Sequence, residues 1–152
     1  MTLPRLLLFF GLLGSAVSAL AQSATLLADS TRLHAEGGVV ALTARAAYDG
    51  APGAVGIALD LPRDWELVAV SGPDVPSVAP KAGTSGKLEF AYLQTPASRL
   101  EFTVQVRYPA GVTAALVSSH VVVRNDGQMA TAKSEPVRLR ATPQGEGRDA
   151  VN

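Results

Sequence analysis

Two histidines are the only side chains that could act as a general base near neutral pH. They stand far apart, His34 in "TRLHAEGG" and His120 in "VSSHVVV". Nucleophilic catalysis would need one of them held against an activated serine, and the Gly-x-Ser-x-Gly turn that presents such a serine is absent. A zinc site would need cysteine and histidine at short spacing, and the chain has no cysteine. Calcium would need converging carboxylates. Asp60, Asp64 and Asp74 are candidates, but no Asp-x-Asp-x-Asp-Gly loop holds them, and single aspartates in turns serve turn geometry. These residues point away from catalysis, metal binding and any cofactor.

One further chemistry is open, the stacking of a sugar ring on an exposed aromatic. The only Trp, Trp65, lies in "GIALDLPRDWELVAVSG". Reading "WELVAV" as a strand places Trp65 and Leu67 on one side and Glu66, Val68 and Val70 on the other, so neither side is cleanly polar. Such a strand is covered on both faces or lies at a sheet edge. Pro62 and Asp64 just ahead of it mark a turn or a change of sheet, which puts the indole near the end of a core. Of Tyr48, Trp65, Phe90, Tyr92, Phe102 and Tyr108, all but Trp65 fall on the apolar side of an alternating segment. A sugar-stacking platform therefore depends on Trp65 alone, against the plainer reading of Trp65 as a core residue.

The elements that must position these residues are strands. In "SRLEFTVQVRYP", Leu100, Phe102, Val104, Val106 and Tyr108 share one face and Glu101, Thr103, Gln105 and Arg107 the other. Only a half-buried strand sorts residues this way. "VVALTARAAY" and "KLEFAYL" alternate likewise, and shorter segments near "ATLLA", "TRLHA", "AVGIALDL", "AALVSSHVVV", "QMATAK" and "PVRLRA" complete the set. Asp-Gly in "NDGQ" predicts a tight hairpin turn. Short strands separated by Gly and Pro, with no helical period between them, predict an all-β antiparallel sandwich. Residues 71–86, rich in Pro and Gly, are too long for a hairpin and must cross between sheets or form a surface loop. The tail 142–152 has no apolar face and is expected to be disordered.

The first residues read differently. Arg5, the apolar run "LLLFFGLLG" and the small residues Ala19 and Ala21 have the layout of a helical signal peptide, with cleavage expected after Ala21. This divides the chain into a signal peptide over 1–21, a β-sandwich over 22–141 and a tail. Export to the periplasm or the outside follows, with no membrane insertion once the signal is removed. The absence of cysteine then means no disulfide and no lipid-anchored cysteine, so the core must hold the domain. Thirteen Lys and Arg balance thirteen Asp and Glu with no basic cluster in sequence, which argues against nucleic acid.

The stretches "GGVVALTARAAYDG", "AVGIALDLPRDWELVAVSG" and "GKLEFAYLQTPASRLEFTVQVRYPAG", with "VSSHVVVRNDGQ" after them, resemble the cohesin-like, Ig-type modules of bacterial exported proteins over roughly residues 36–124. That resemblance implies a sandwich of about nine strands that binds another protein or spaces domains, and it implies no catalytic residue. The expected function is a non-catalytic module mediating protein–protein interaction at the cell envelope or outside the cell. The alternatives are carbohydrate binding through Trp65 and a purely structural spacer. A partner, protein or polysaccharide, would meet the polar face of Glu101, Thr103, Gln105 and Arg107, because flat polar faces suit reversible contacts.

Overall fold

The computed structural model describes residues 22–142; the expected signal peptide and the tail beyond Thr142 lie outside the described residues. Alternation carries through into strands over most of this length. In chain order they are β1 (Gln22–Ala28), β2 (Arg32–Leu33), β3 (Gly38–Tyr48), β4 (Ala54–Asp60) and β5 (Glu66–Ser71). They continue with β6 (Lys87–Ala91), β7 (Arg99–Tyr108), β8 (Ala114–Asn125), β9 (Gln128–Lys133) and β10 (Val137–Ala141). Two sheets result. One has four strands in the order β1-β3-β7-β5; the other has six, β2-β10-β8-β4-β6, with β9 also on β8. All pairings are antiparallel except that of β2 with β10.

β9 and β10 are two halves of one return path along β8. Lys133 pairs with His120 and Val137 with Val117, so Ser134, Glu135 and Pro136 stand opposite only Ser118 and Ser119. Pro136 has no N–H to donate, and the extra residue leaves the ladder there as a bulge. Ser134 closes the gap, donating its N–H to Ser119 O and accepting the Ser119 N–H on Oγ. Counting this path once, nine runs of chain build the sandwich. The hairpin joining β8 to β9 turns at Asp126 and Gly127 with φ of 48° and 81°, the two positive angles of a type I′ turn expected from Asp-Gly.

The inward faces of the two sheets fill the space between them. Leu42 and Phe102 from one sheet meet Leu59, Leu88 and Val121 from the other, all buried. Phe90 on β6 packs against Phe102 on β7 with ring centroids 5.0 Å apart and tilted by 58°, joining the edge strand of one sheet to an inner strand of the other. The chain changes sheet between β4 and β5, in the segment holding Pro62 and Asp64, and Trp65 follows directly.

Trp65 is buried at 1% exposure, its ring 5.3 Å from that of Tyr108. The mixed parity after it comes from a β-bulge. Leu67 pairs with Val106 and Ala69 with Gln105, which leaves Val68 as the extra residue and returns Val70 to the inward side opposite Val104. The exposed-platform reading of Trp65 is thereby corrected, because a ring closed off by Tyr108 and the core offers no face to a sugar. Replacing Trp65 by Ala should cost about 3–5 kcal/mol of stability in denaturant titrations. Native emission should be blue-shifted and insensitive to iodide until the chain unfolds; strong quenching of the native protein would contradict this packing.

Candidate functional site

The inward demand of β7 sets its outward face. With Leu100, Phe102, Val104, Val106 and Tyr108 buried, the pleat sends Glu101, Thr103, Gln105 and Arg107 to the outside of the four-stranded sheet. β7 is an inner strand, so both neighbours add to the face. β3 sets Arg45 opposite Glu101, Thr43 opposite Thr103, Ala41 opposite Gln105 and Val39 opposite Arg107. β5 adds Glu66 beside Arg107, Ala69 beside Gln105 and Ser71 beside Thr103. The four residues predicted from alternation thus form one continuous stripe, and Trp65 lies behind it in the core.

Cross-strand pairs hold the stripe. Arg45 Nε donates to Glu101 Oε2 at 2.5 Å, the Thr43 and Thr103 hydroxyls lie 3.1 Å apart, and Arg107 Nη1 stands 3.9 Å from Glu66 Oε2. Exposed ion pairs of this kind contribute roughly 0.2–1 kcal/mol each. They set charges of opposite sign side by side, so the face offers an alternating pattern of charge.

At the Glu101 end the face dips into a shallow recess of about 640 Å³. Its floor is small, from Ser23, Thr25 and Ala47; Arg45, Arg99, Glu101 and Asp74 supply charge around it. Asp74 belongs to the long segment 71–86 and binds β7 on both sides, donating its N–H to Glu101 O and accepting the Glu101 N–H on Oδ2. Its carboxylate is therefore committed to backbone. Asp60, the second candidate for cation binding, stands 3.6 Å from His120 Nδ1 on the other sheet. His34 is exposed, and its backbone N–H donates to the Tyr108 hydroxyl. Among the described residues no group of three or more His, Cys, Asp or Glu is arranged to hold a metal ion.

The segment 71–86 does more than carry Asp74. It crosses from β5 to β6 and bonds to the free edges of both strands. Leu67 N–H donates to Thr84 O and Gly83 N–H to Leu67 O, while Val78 and Ala91 exchange two bonds of 3.0 Å. Crossover and surface loop, the two readings of this stretch, are both correct.

Sequence reasoning missed the partners of the stripe. The parity of "VVALTARAAY" puts Thr43 and Arg45 on a polar side, but nothing local reveals that Arg45 meets Glu101. Nor is there a local signal for Arg99 and Asp74 at the recess.

This two-sheet topology, with its bulged β5 and cross-strand stripe, can be set beside known structures. The full-length major pilin SpaD of Corynebacterium diphtheriae superposes with a TM-score of 0.54 at 12% identity, over 78% of this chain and 35% of the pilin. A type II cohesin domain from the Acetivibrio cellulolyticus cellulosome gives 0.54 at 10%, over 78% of this chain and 94% of the cohesin. A non-cellulosomal cohesin of Archaeoglobus fulgidus gives 0.52 at 14%, over 82% and 94%. The chain has a cohesin-like fold. No protein-family model matches it, and no curated protein does. The two cohesins are covered almost end to end, so the cohesin-like sandwich accounts for essentially all of each, whereas this chain spans about a third of the pilin.

Two tyrosines close this cohesin-like sandwich beside the recess. Tyr48 donates to Pro96 O and Tyr92 to Asp74 O, each at 2.6 Å. Burial, and then the nearby Asp74 charge, push the Tyr48 phenol up to about 12 and that of Tyr92 higher still. Below about pH 10 both phenols are neutral whether the chain is folded or not, and pH acts through neither. Above it the unfolded chain releases protons that the folded chain keeps, so stability falls as pH climbs from about 10 through the folded-state values. The melting temperature should drop above about pH 10 as the tyrosines of the unfolded chain ionise. Tyr48→Phe should shallow that drop and lower neutral-pH stability by about 1 kcal/mol. A drop equally steep in the variant would show that Tyr48 is not its source.

Proposed function

We propose that this chain is an exported, non-catalytic module that binds another protein through the outer face of its four-stranded sheet. The observation that carries the reading is the stripe of Glu101, Thr103, Gln105 and Arg107 on the outer face of the sheet, with cross-strand partners at Glu101, Thr103 and Arg107, continued into the recess. Paired charges along a sheet face suit recognition of a matching polar surface and do little for a small molecule. The signal-peptide layout of residues 1–21 supports export, to the periplasm or beyond. No helix among the described residues is long and apolar enough to cross a membrane. Similarity of fold to a major pilin and to a cellulosomal cohesin domain agrees with a role at or outside the cell surface.

Sugar recognition by stacking finds no support. All six aromatic side chains among the described residues are buried. A stacking site needs at least one ring face open to solvent.

The test is capture from a cell-envelope extract on the immobilised chain, run beside a charge-reversed form carrying Glu101→Arg and Arg107→Glu. A specifically retained protein should bind the reversed form at least about tenfold more weakly. Equal retention by both forms would move the docking surface off this face. Retention of nothing by the folded chain would favour the spacer role.

A further inference from the structure

The opposite sheet carries a second patterned surface, at the corner where β2, β10 and the start of β8 meet. Its origin is a pairing that ordinary sheet design avoids. Arg140 on β10 stands directly opposite Arg32 on β2, and Arg138 lies two residues before Arg140 on the same outward face. Like charges opposite one another in a sheet are destabilising. Strand geometry sets these Cα atoms about 4.8 Å apart across the pair and about 6.6 Å apart along β10.

Four cations on the two faces are answered: Arg45 has Glu101, Arg107 has Glu66, Lys87 has Glu89 and His120 has Asp60. Arg99, Arg124 and Lys133 form no ion pair among the described residues, so what sets the corner apart is that three such arginines are gathered on one face. Among the described residues no carboxylate forms an ion pair with Arg32, Arg138 or Arg140. Asp29, the acid nearest Arg32 in sequence, has its Oδ1 engaged by the Ala41 N–H. Bulk charge does not explain the cluster, because the chain as a whole is neutral.

The corner is also anchored to the core. β2 is only two residues long and lies at the sheet edge, yet Leu33 is fully buried and two bonds tie it to the β10 side: Arg140 N–H donates to Thr31 O and Thr142 N–H to Leu33 O. Ser30 Oγ accepts the Arg32 N–H and closes the turn before the strand. Beside the arginines lies Leu116, 56% exposed and paired with Arg138. Ala114, opposite Arg140, keeps the surface low.

We infer that this corner docks an extended acidic segment of a partner protein, its carboxylates on Arg32, Arg138 and Arg140 and an apolar side chain on Leu116. Charge complementarity selects the sign of the occupant, since three unanswered guanidiniums gain most from carboxylates they can grip in a bidentate way. Peptide geometry selects its form. An extended chain presents same-side residues every 6.6 Å or so, the interval between Arg138 and Arg140. The exposed leucine separates this occupant from a purely charged polymer. The inference stands apart from the docking role of the four-stranded sheet, and either can fail without the other.

The test uses the full chain and a fluorescently labelled peptide alternating glutamate and leucine, followed by anisotropy at about 50 mM and about 300 mM salt. Binding should weaken with salt, fall about tenfold or more in Arg138→Glu and in the double variant Arg32→Gln with Arg140→Gln, and fall about threefold in Leu116→Ser. Arg63→Gln, remote in sequence in the turn between β4 and β5, should bind as the parent does. Circular dichroism confirms that each variant is folded. Absence of binding by the parent chain, or full affinity in the arginine variants, overturns the inference. So does equal binding of an all-glutamate peptide, or binding of phosphatidylglycerol vesicles in place of the peptide.

Discussion

No disulfide joins the two sheets, so their packing rests on the apolar layer between them. Within it Phe90 meets Phe102, one ring from each sheet, with Tyr92 set edge-on to Phe102 at 6.5 Å. Losing either phenylalanine would remove about 3–5 kcal/mol from a net stability on the order of 5–15 kcal/mol. That requirement governs β7 residue by residue. Because the strand must deliver an apolar side chain inward at each second position, the positions between are released to the outside at a fixed interval. The regular polar stripe is a by-product of the core.

Much of this was legible in the chain. The alternation in β3, β6 and β7 located both the core and the stripe, the Asp-Gly pair located the hairpin, and Pro62 with Asp64 marked a break that is the change of sheet. Each is a local rule, settled within a few residues. What stayed hidden depends on partners distant in sequence. Val68 leaves the ladder because β5 must meet β7, and from the strand alone its side chain looked like one member of an ambiguous alternation. Arg45 beside Glu101 and Arg140 beside Arg32 are matters of register, which a single strand does not encode. Tertiary pairing alone shows that the first pair cancels charge and the second accumulates it.

The two flanks of the sandwich are finished differently. On one, the segment 71–86 bonds to the outer edges of β5 and β6, leaving little unpaired backbone to attract another strand. On the other, β1 pairs only with β3 and β9 only with β8 among the described residues. Alanines at Ala24, Ala28 and Ala132 pack against the core there. The two outer faces differ as well, one laced by opposite charges and the other gathering arginines at a corner.

The pairing of β1 has a mechanical consequence. Gln22 lies beside Tyr48 at one end of β3, while Ala141 lies beside Leu33, near the end of β3 that starts at Gly38. Chain therefore enters the sandwich at one end and leaves it at the other. Tension applied through these points runs along the strands, and the ladder between β1 and β3, whose bonds lie perpendicular to the strands, bears it over its whole length at once. A hairpin drawn from its open end yields one bond at a time, like a zipper. Drawn lengthwise, β1 must shear all its bonds together, the geometry suited to a link in a chain under load.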